Sequence, residues 1–335
     1  MKEALQTLWW RPQAPPLALR PLAALYGVVA DALAQRQRAK AERLPVPVIV
    51  VGNIAVGGTG KTPLTLALVE QLRALGRRPG VISRGYGGRG PFPQLVRADS
   101  DPAAVGDEPL LIVLRSGVPL AVAPRRAEAG RALLAAHPDV DVLVCDDGLQ
   151  HYRLARDLEI CVIDGARGHG NGWRLPAGPL REPPARAEQC ELLLVNGGAP
   201  EAYGDRALRF DLLPGAAWPL AGGEPRPLAA FTGEPVHAVA GIGNPQRFFA
   251  SLQQQGLKVL PHAYPDHHAY RAEDLAFGDG LPVLMTEKDA VKCRACADAR
   301  LWAVPVTAAF APGAEEPVRQ SLRAALSKPW PISPT

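Results

Sequence analysis

Residues 47–63 read PVIVVGNIAVGGTGKTP, an apolar run that leads into a glycine-rich loop and a Lys-Thr pair. The run Pro47–Val51 is short and rich in β-branched residues, which is typical of a buried parallel strand. A helix is predicted from Leu64 to Leu75, and Gly76 suits the position just after its last turn. A strand, a glycine loop and a helix in this order are the context of a phosphate-binding loop.

The residue types of this loop suit the phosphates of a nucleotide. Glycines let backbone N–H groups turn towards phosphate oxygens, and the start of the helix adds partial positive charge. We expect Lys61 to reach the β- and γ-phosphates and Thr62 to ligate Mg²⁺. The predicted nucleotide-binding residues are Ala55, Val56, Gly57, Gly58, Thr59, Gly60, Lys61 and Thr62.

Two positions of the loop depart from related patterns. The usual phosphate-loop motif has Gly where this chain has Ala55, although a small residue is retained there. Val56 occupies the place of the signature Lys found in the ATPases that partition plasmids and position division sites. That substitution argues against this class of ATPase.

A second apolar strand, Val140–Cys145, is followed at once by the acidic pair Asp146 and Asp147. Phosphate-loop folds hold Mg²⁺ with acidic residues at the end of a neighbouring strand. Two adjacent carboxylates repel each other, and a divalent cation relieves that repulsion. The sequence therefore predicts Thr62, Asp146 and Asp147 as metal ligands, with a solvated acidic turn as the alternative.

Loops at the ends of other predicted strands supply candidate substrate contacts. Arg84 follows the short strand Val81–Ser83 in a glycine-rich loop, and a sugar or phosphate contact or a mobile surface loop would each explain it. Arg181 and Glu182 lie in a Pro/Gly-rich loop between two further strands. Substrate binding and a plain surface ion pair both remain open for this pair.

The second half of the chain repeats an α/β pattern. Residues Pro214–Pro227 are rich in Pro, Gly and Ala and predict a linker, and a new strand starts at Val236. Asp266, His267 and His268 follow one another, and they suit metal ligands, an acid/base group or a solvent-exposed loop. Earlier in the chain Asp107 precedes an apolar segment, where a helix N-cap is the alternative to a catalytic role.

The charge of the chain is concentrated at its N-terminus. The net charge of +4 is too small to indicate a nucleic-acid partner, and all of it lies within residues 1–45. A helix predicted over roughly 19–40 has apolar residues at helical spacing, but Asp31 interrupts the run, so an interfacial helix is favoured over a spanning one. We expect Trp9 and Trp10 at headgroup depth. Packing of the helix on the protein's own core is the alternative.

Seven motifs occur together in the order seen in the tetraacyldisaccharide 4′-kinase family, and the chain resembles that family over nearly its whole length. The motifs are Gly57–Pro63, Ser83–Gly87, Gly106–Pro109, Asp146–His151, Arg181-Glu182, Asp266–His268 and Thr286–Asp289. The resemblance implies transfer of the ATP γ-phosphate, with Mg²⁺, to the 4′-hydroxyl of a tetraacyldisaccharide 1-phosphate, forming the bisphosphorylated lipid A precursor. It also implies a peripheral enzyme on the cytoplasmic face of the inner membrane, held there by the N-terminal helix.

The resemblance also suggests roles for individual residues. A sugar hydroxyl needs a positioned base, and by resemblance that base is Asp107, paired with His267 across two domains. Lys61 completes the expected catalytic set. The expected substrate-binding residues are Asn53, Arg84, His151, Arg181 and Glu182.

The expected fold is a P-loop NTPase-like parallel sheet flanked by helices, with a smaller C-terminal α/β domain and an N-terminal amphipathic helix. The predicted ranges are 1–45 for the interfacial helix, 46–215 for the kinase core and 228–330 for the C-terminal domain. Two other functions fit a phosphate loop: a kinase or ligase of a soluble metabolite, resembling dethiobiotin synthetase, and a nucleotide-dependent switch protein. Cys293 and Cys296 form a lone CxxC pair, for which incidental thiols are favoured over a zinc or redox site.

Overall fold

The computed structural model describes residues 7–296 and 298–328, without the side chains of 294–296, so the Cys296 thiol lies outside the described part. In chain order, the described helices and strands are α1 (Arg20–Arg38), β1 (Val48–Gly52), α2 (Lys61–Ala74), β2 (Pro79–Ser83), β3 (Gln94–Val96), α3 (Pro102–Val105), α4 (Asp107–Ser116), β4 (Leu120–Val122), α5 (Arg126–Ala136), β5 (Val142–Cys145), β6 (Leu158–Asp164), α6 (Ala185–Glu188), β7 (Leu192–Asn196), β8 (Ala207–Pro214), β9 (Trp218–Pro219), β10 (Pro235–Ala240), α7 (Pro245–Gln254), β11 (Lys258–Ala263), β12 (Val283–Thr286), α8 (Glu287–Ala290), β13 (Leu301–Val304), β14 (Val306–Phe310) and α9 (Glu315–Leu326).

The larger sheet of the described chain has nine strands in the order β14-β8-β7-β6-β1-β5-β2-β4-β3. Its strands are parallel except at the two edges, where β3 and β14 run antiparallel to their neighbours. Every residue of β1 is buried, as expected for a central strand covered on both faces. Because β1 and β5 are parallel neighbours, the phosphate loop and Asp146 follow strands that end at the same edge. This architecture confirms the predicted fold class.

The smaller sheet has the order β11-β10-β12-β13-β9 and contains the strand predicted at Val236. The C-terminal domain was predicted over 228–330, but this range includes β14, which pairs with β8 in the larger sheet. Helix α9 also returns, burying Val318, Leu322 and Ala325 in the core that surrounds β1. The predicted linker Pro214–Pro227 includes β9, a strand of the smaller sheet. An amphipathic helix requires an apolar partner but does not specify which sheet provides it.

Helix α1 docks on the protein through its small residues. Ala23 and Gly27 are buried, and a Cβ on Gly27 would lie 2.8 Å from Arg174 Nη1. The large apolar side chains point outward and are 49% to 69% exposed, namely Leu22, Leu25, Val28, Val29 and Leu33. By length and composition alone, the segment Leu17–Arg38 could cross a bilayer, whereas Asp31 within it favours an interfacial helix.

The two N-terminal tryptophans are partly buried against the protein, and their position at headgroup depth stays a prediction. The Trp9 indole N–H donates to the carbonyl of Pro176 at 2.9 Å. Trp10 packs against the buried cluster that contains Ile54 and Ala55. An indole buries a large apolar surface once its N–H finds an acceptor, and here the protein supplies both.

Candidate active site

The phosphate loop is held by the end of strand β7, which lies two strands away from β1 in the larger sheet. Asn196, the last residue of β7, donates from Nδ2 to the carbonyl of Thr59 at 2.9 Å. Gly60 has φ +92°, and a Cβ at this position would collide with Asn196 Nδ2. Glycine is therefore required at 60 both for the backbone conformation and for the close approach. Helix α2 starts at the next residue, Lys61.

The Ala55 departure from the usual motif has a structural explanation. Ala55 is 6% exposed and forms an antiparallel bridge with Leu180. The N–H of Val56 donates to the Pro179 carbonyl at 2.9 Å, and the Arg181 N–H donates to the Ile54 carbonyl at 2.7 Å. The first part of the loop is thus tied into a small sheet-like contact, while Gly57 and Gly58 remain exposed.

The Lys61 ammonium lies between a buried amide and the acidic pair. Its Nζ donates to Asn53 Oδ1 at 3.3 Å and lies 3.5 Å from Asp147 Oδ1. Asn53 is fully buried, and its Nδ2 donates to the Ala55 carbonyl at 2.7 Å. This placement of Asn53, expected as a substrate contact, supports a role in orienting Lys61 instead.

The acidic pair at the end of β5 has the features of a cation site. Asp146 is 1% exposed and accepts a hydrogen bond from Thr65 Oγ1 at 2.8 Å. Burial, with the charges of Glu108 and Asp147, raises the pKa of Asp146 to about 7. Asp147 has φ +47°, and its Oδ1 has long ion-pair contacts, with Lys61 at 3.5 Å and Arg181 at 3.7 Å. A cation would satisfy this oxygen and relieve the repulsion, so the donor set fits Mg²⁺.

Asp107 and His267 meet across the two sheets although they lie 160 residues apart in sequence. Their contact joins Asp107 Oδ2 to His267 Nδ1 at 3.1 Å, and Asp107 Oδ1 accepts the N–H of Glu108 at 3.0 Å. Asp107 is buried at the start of α4, and His267 has φ +63°, rare for a residue other than glycine. The neighbouring His268 instead contacts Asp274 at 3.0 Å.

The two groups of this pair shift each other's pKa. Burial raises the pKa of Asp107, but the hydrogen bond from His267 and the charge of Lys288 outweigh it and hold the pKa below its ordinary value. The hydrogen bond to Asp107 raises the pKa of His267 above its ordinary value, although burial and Lys288 oppose this. The pair therefore binds its proton on the imidazole.

Lys288 belongs to the Thr286–Asp289 motif, and it is a site residue for which the sequence predicts no role of its own. Its Nζ lies 2.9 Å from Glu108 Oε1 and 3.3 Å from Asp266 Oδ1, so it bridges the two domains beside the Asp107–His267 contact. Burial lowers the pKa of Lys288, but Glu108, Asp107 and Asp266 outweigh it and raise the pKa. Its position at a charged strand end was the available signal. Asn196 and Thr65, which also contact the site, had no such signal in the sequence.

The other predicted substrate residues differ in how close they lie to the acidic pair. Arg181 lies 3.7 Å from Asp147 Oδ1, close to the acidic pair, and Arg84 is exposed in the loop after β2. His151 Nε2 accepts the N–H of Arg126 at 3.2 Å, which caps helix α5. Burial and the charge of Arg126 lower the pKa of His151 to about 4, so its imidazole is neutral.

Glu182 belongs to a buried network that forms one side of a groove. It accepts hydrogen bonds from Gln150 Nε2 at 2.7 Å and from the Tyr152 hydroxyl. The groove has a volume of about 560 Å³ and lies between these residues and helix α1. Apolar side chains of α1 line one wall, and Gln150, Arg181 and Glu182 line the other. An amphiphilic ligand suits such a lining.

The comparisons with known proteins agree with the resemblance drawn from the motifs. A sequence model of the family described as tetraacyldisaccharide-1-P 4′-kinase (LpxK) matches residues 16–326. Tetraacyldisaccharide 4′-kinase from Alkalilimnicola ehrlichii is 54% identical over 314 residues, covering 91% of this chain and 92% of its own. The enzyme of the same name from Pseudomonas aeruginosa is 55% identical over 317 residues, covering 92% and 94%. The structure of LpxK from Aquifex aeolicus in complex with ATP has a TM-score of 0.76 and 26% identity, covering 92% of this chain and 98% of that one.

Proposed function

Because the chain belongs to the tetraacyldisaccharide-1-P 4′-kinase family, we propose that it transfers the γ-phosphate of ATP to the 4′-hydroxyl of a tetraacyldisaccharide 1-phosphate. The protein is a kinase of lipid A biosynthesis, and ATP is its phosphoryl donor. The observation that carries the assignment is the meeting of three parts: the phosphate loop, the Asp107–His267 pair and the groove beside α1. A kinase needs a donor site, a base and an acceptor site, and these three parts supply them.

On the donor side, the loop's N–H groups and Lys61 bind and orient the phosphates. Lys61 is held ready by Asn53 and by Asp147, so little ordering is needed when ATP binds. Thr62, Asp146 and Asp147 would hold Mg²⁺, which neutralises charge on the phosphates when bound. The raised pKa of Asp146 and the long contacts of Asp147 Oδ1, at 3.5 and 3.7 Å, support this assignment.

On the acceptor side, the Asp107–His267 pair removes the proton of the sugar hydroxyl. The accepting form has an ionised Asp107 and a neutral His267, with the imidazole Nδ1–H donated to the carboxylate. When the pair takes up the proton, the charge of the imidazolium is balanced by Asp107. Lys288 and Asp266 hold the position of this pair relative to the first domain.

The substrate's acyl chains need an apolar surface, and helix α1 offers one. Its exposed face continues into the groove, whose polar wall contains Arg181, 3.7 Å from Asp147. We propose that the sugar lies at the polar wall and the chains extend along α1. The basic residues Arg36, Arg38 and Lys40 at the end of α1 suit an anionic lipid surface. These features support a protein bound to the cytoplasmic face of the inner membrane, with α1 lying along it.

Replacing Leu25, Val28 and Val29 together by Ser is expected to weaken binding to phosphatidylethanolamine/phosphatidylglycerol vesicles by about 10³-fold, since each buried apolar side chain contributes roughly 1.5 kcal/mol. The three side chains are exposed, so the fold should be unaffected. Co-sedimentation with vesicles measures the effect. Leu213→Ser, at an exposed apolar residue of β8, is the matched control. Undiminished binding of the triple variant would exclude α1 as the membrane contact.

The assignment of the reaction is tested with radiolabelled ATP and an acylated glucosamine disaccharide 1-phosphate. Label is expected in the lipid phase and in a product with a second phosphate. Label that remains in the aqueous phase, with a soluble metabolite as the acceptor, would favour the metabolite kinase instead. Nucleotide hydrolysis without any transfer would favour a switch protein.

A further inference from the structure

Arg167, in the loop after β6, lies along the flank of the phosphate loop. Its Nη1 is 3.8 Å from the position that a Cβ on Gly57 would take. The same Nη1 donates to the carbonyl of Gly243, in the loop after β10, at 3.3 Å. A single guanidinium thus lies beside the donor site and bonds to the second domain.

The loop of Gly243 approaches the phosphate loop closely at this point. A Cβ on Gly243 would lie 3.1 Å from the Gly58 nitrogen and 3.7 Å from Gly57 Cα. A side chain on residue 243 would crowd the backbone of 57–58, so glycine at 243 allows this close approach of the second domain. The hydrogen bond from Arg167 therefore joins the loop after β6 to Gly243 at the point where Gly243 approaches the phosphate loop.

The N-terminal arm holds Arg167 in this position. The guanidinium carbon lies 5.0 Å from the centroid of the Trp10 ring, a cation–π distance. Trp10 itself packs on the cluster of Ile54 and Ala55, which leads directly into the phosphate loop. The Trp9 carbonyl accepts the N–H of Asn171 at 2.9 Å, which fixes the arm to the loop that carries Arg167.

The charge of Arg167 is placed where an anion would be attracted. Burial and the nearby Arg247 lower its pKa, while Asp164 opposes this, and a guanidinium stays protonated throughout the working pH range. Arg247 is engaged by Asn196 Oδ1 at 2.6 Å and by Asp164 at 3.5 Å. Arg167 donates to a neutral carbonyl, so its charge is available to a polyphosphate.

We propose that Arg167 is a positioning residue for ATP, oriented by Trp10, so that the N-terminal arm supports the phosphate loop. This inference rests on the proposed function for the identity of the nucleotide. It assigns Trp9 and Trp10 to the nucleotide site and leaves membrane contact to the exposed face of α1. Displacement of the arm then weakens nucleotide binding without removing any residue of the phosphate loop.

The test measures the Kd of a fluorescent ATP analogue in the full chain without lipid, together with the KM for ATP and for the acceptor. Arg167→Met is expected to raise the Kd and the KM for ATP about tenfold, and Trp10→Ala about fivefold, since a partly exposed cation–π contact contributes about 1 kcal/mol. The KM for the acceptor is expected to stay unchanged. Trp10→Phe retains an aromatic face and is expected to recover most of the loss.

A double-mutant cycle separates coupling from independent effects. The Trp10→Ala, Arg167→Met double variant is expected to bind the analogue no more weakly than Arg167→Met alone. The proposal would be overturned if the two substitutions multiplied each other's effect on the Kd. An Arg167→Met variant with an unchanged Kd would overturn it as well. If Trp10→Ala does not fold, Arg167→Lys and Arg167→Met are compared with the wild type. Two variants with the wild-type Kd would refute the positioning role. A Kd that rises modestly for Arg167→Lys and further for Arg167→Met would support it.

Arg226 provides the matched control, because its guanidinium stacks on Trp302 at 4.9 Å in the second domain. Arg226→Met removes a comparable contact and is expected to leave the Kd unchanged. A rise equal to that of Arg167→Met would show a general loss of stability and contradict the proposal. Because the Kd is measured without acceptor, it remains informative even if no lipid is phosphorylated, which separates this proposal from the proposed function.

Discussion

Replacing Asp107 by Asn, or His267 by Gln, is expected to lower kcat by about 10²- to 10⁴-fold, the usual contribution of a positioned general base. The two groups form one hydrogen-bonded unit at 3.1 Å, so the double variant should be no slower than the slower single variant. The KM for ATP should change little, because neither side chain belongs to the phosphate loop. Steady-state rates at saturating ATP measure the effect.

The matched control is His268→Gln, which replaces the adjacent imidazole. His268 contacts Asp274 at 3.0 Å rather than Asp107, so its replacement should leave kcat within about threefold of the wild type. Equal losses for His267→Gln and His268→Gln would contradict the assignment. The family resemblance favours His267, although the residues themselves do not distinguish the two histidines.

The pH dependence follows from the same contact. The pair accepts a proton only when His267 is neutral, and Asp107 raises the pKa of His267. Activity should therefore fall as the pH decreases through this raised pKa, with the acidic limb above the ordinary value of about 6.5. In Asp107→Asn the pKa of His267 should decrease, since the charged acceptor is lost while Asp266 and Lys288 remain. An NMR titration of the imidazole tests this independently of activity, and an unchanged pKa would refute the coupling.

Replacing Lys61 by Met is expected to lower kcat/KM for ATP by about 10²- to 10³-fold, comparable with the loss of one electrostatic donor at a transition state. Among the described ion pairs, the Lys61 ammonium is the positive charge closest to Asp147 Oδ1, at 3.5 Å. No other residue of the phosphate loop carries a positive charge. Thermal stability should be nearly unchanged, because the contacts of Lys61 are long ones at 3.3 and 3.5 Å.

Lys258→Met, at an exposed lysine of β11, is the control for the loss of one positive charge. Asn53→Ala should give an intermediate loss, since Lys61 then keeps its charge but loses the amide that orients it. A Lys61→Met enzyme with wild-type kcat/KM would remove the phosphate loop from the reaction. A large decrease in melting temperature would instead indicate that Lys61 is a structural residue.

The local elements were predictable because their causes are local. The burial of β1 follows from five consecutive apolar or small residues, and the helix after the loop begins where glycine turns give way to Lys61. Helix α1 was predicted over roughly 19–40 and is found at Arg20–Arg38, since its apolar spacing lies within one segment. The motif order was sufficient to indicate the family.

Contacts between distant residues could not be read in the same way. The indole of Trp9 bonds to Pro176, 167 residues further along the chain, and the basic, apolar composition of its own segment suggested a membrane instead. His151 stays a predicted substrate residue, and its contact with the start of α5 at Arg126 had no signal in the sequence. Strand β14 follows the smaller sheet in sequence and joins the larger one, because β8 had a free edge there.

The sequence by itself determined the phosphate loop, the acidic pair after β5, the family and the helical, basic N-terminus, because backbone dihedrals and apolar periodicity depend on residues near in sequence. The tertiary structure alone decided that His267 rather than His268 meets Asp107, that Lys288 bridges the domains, and that α1 exposes its large side chains while Trp10 supports the phosphate loop. These contacts depend on the order of the strands and on the packing of surfaces that lie far apart in the chain.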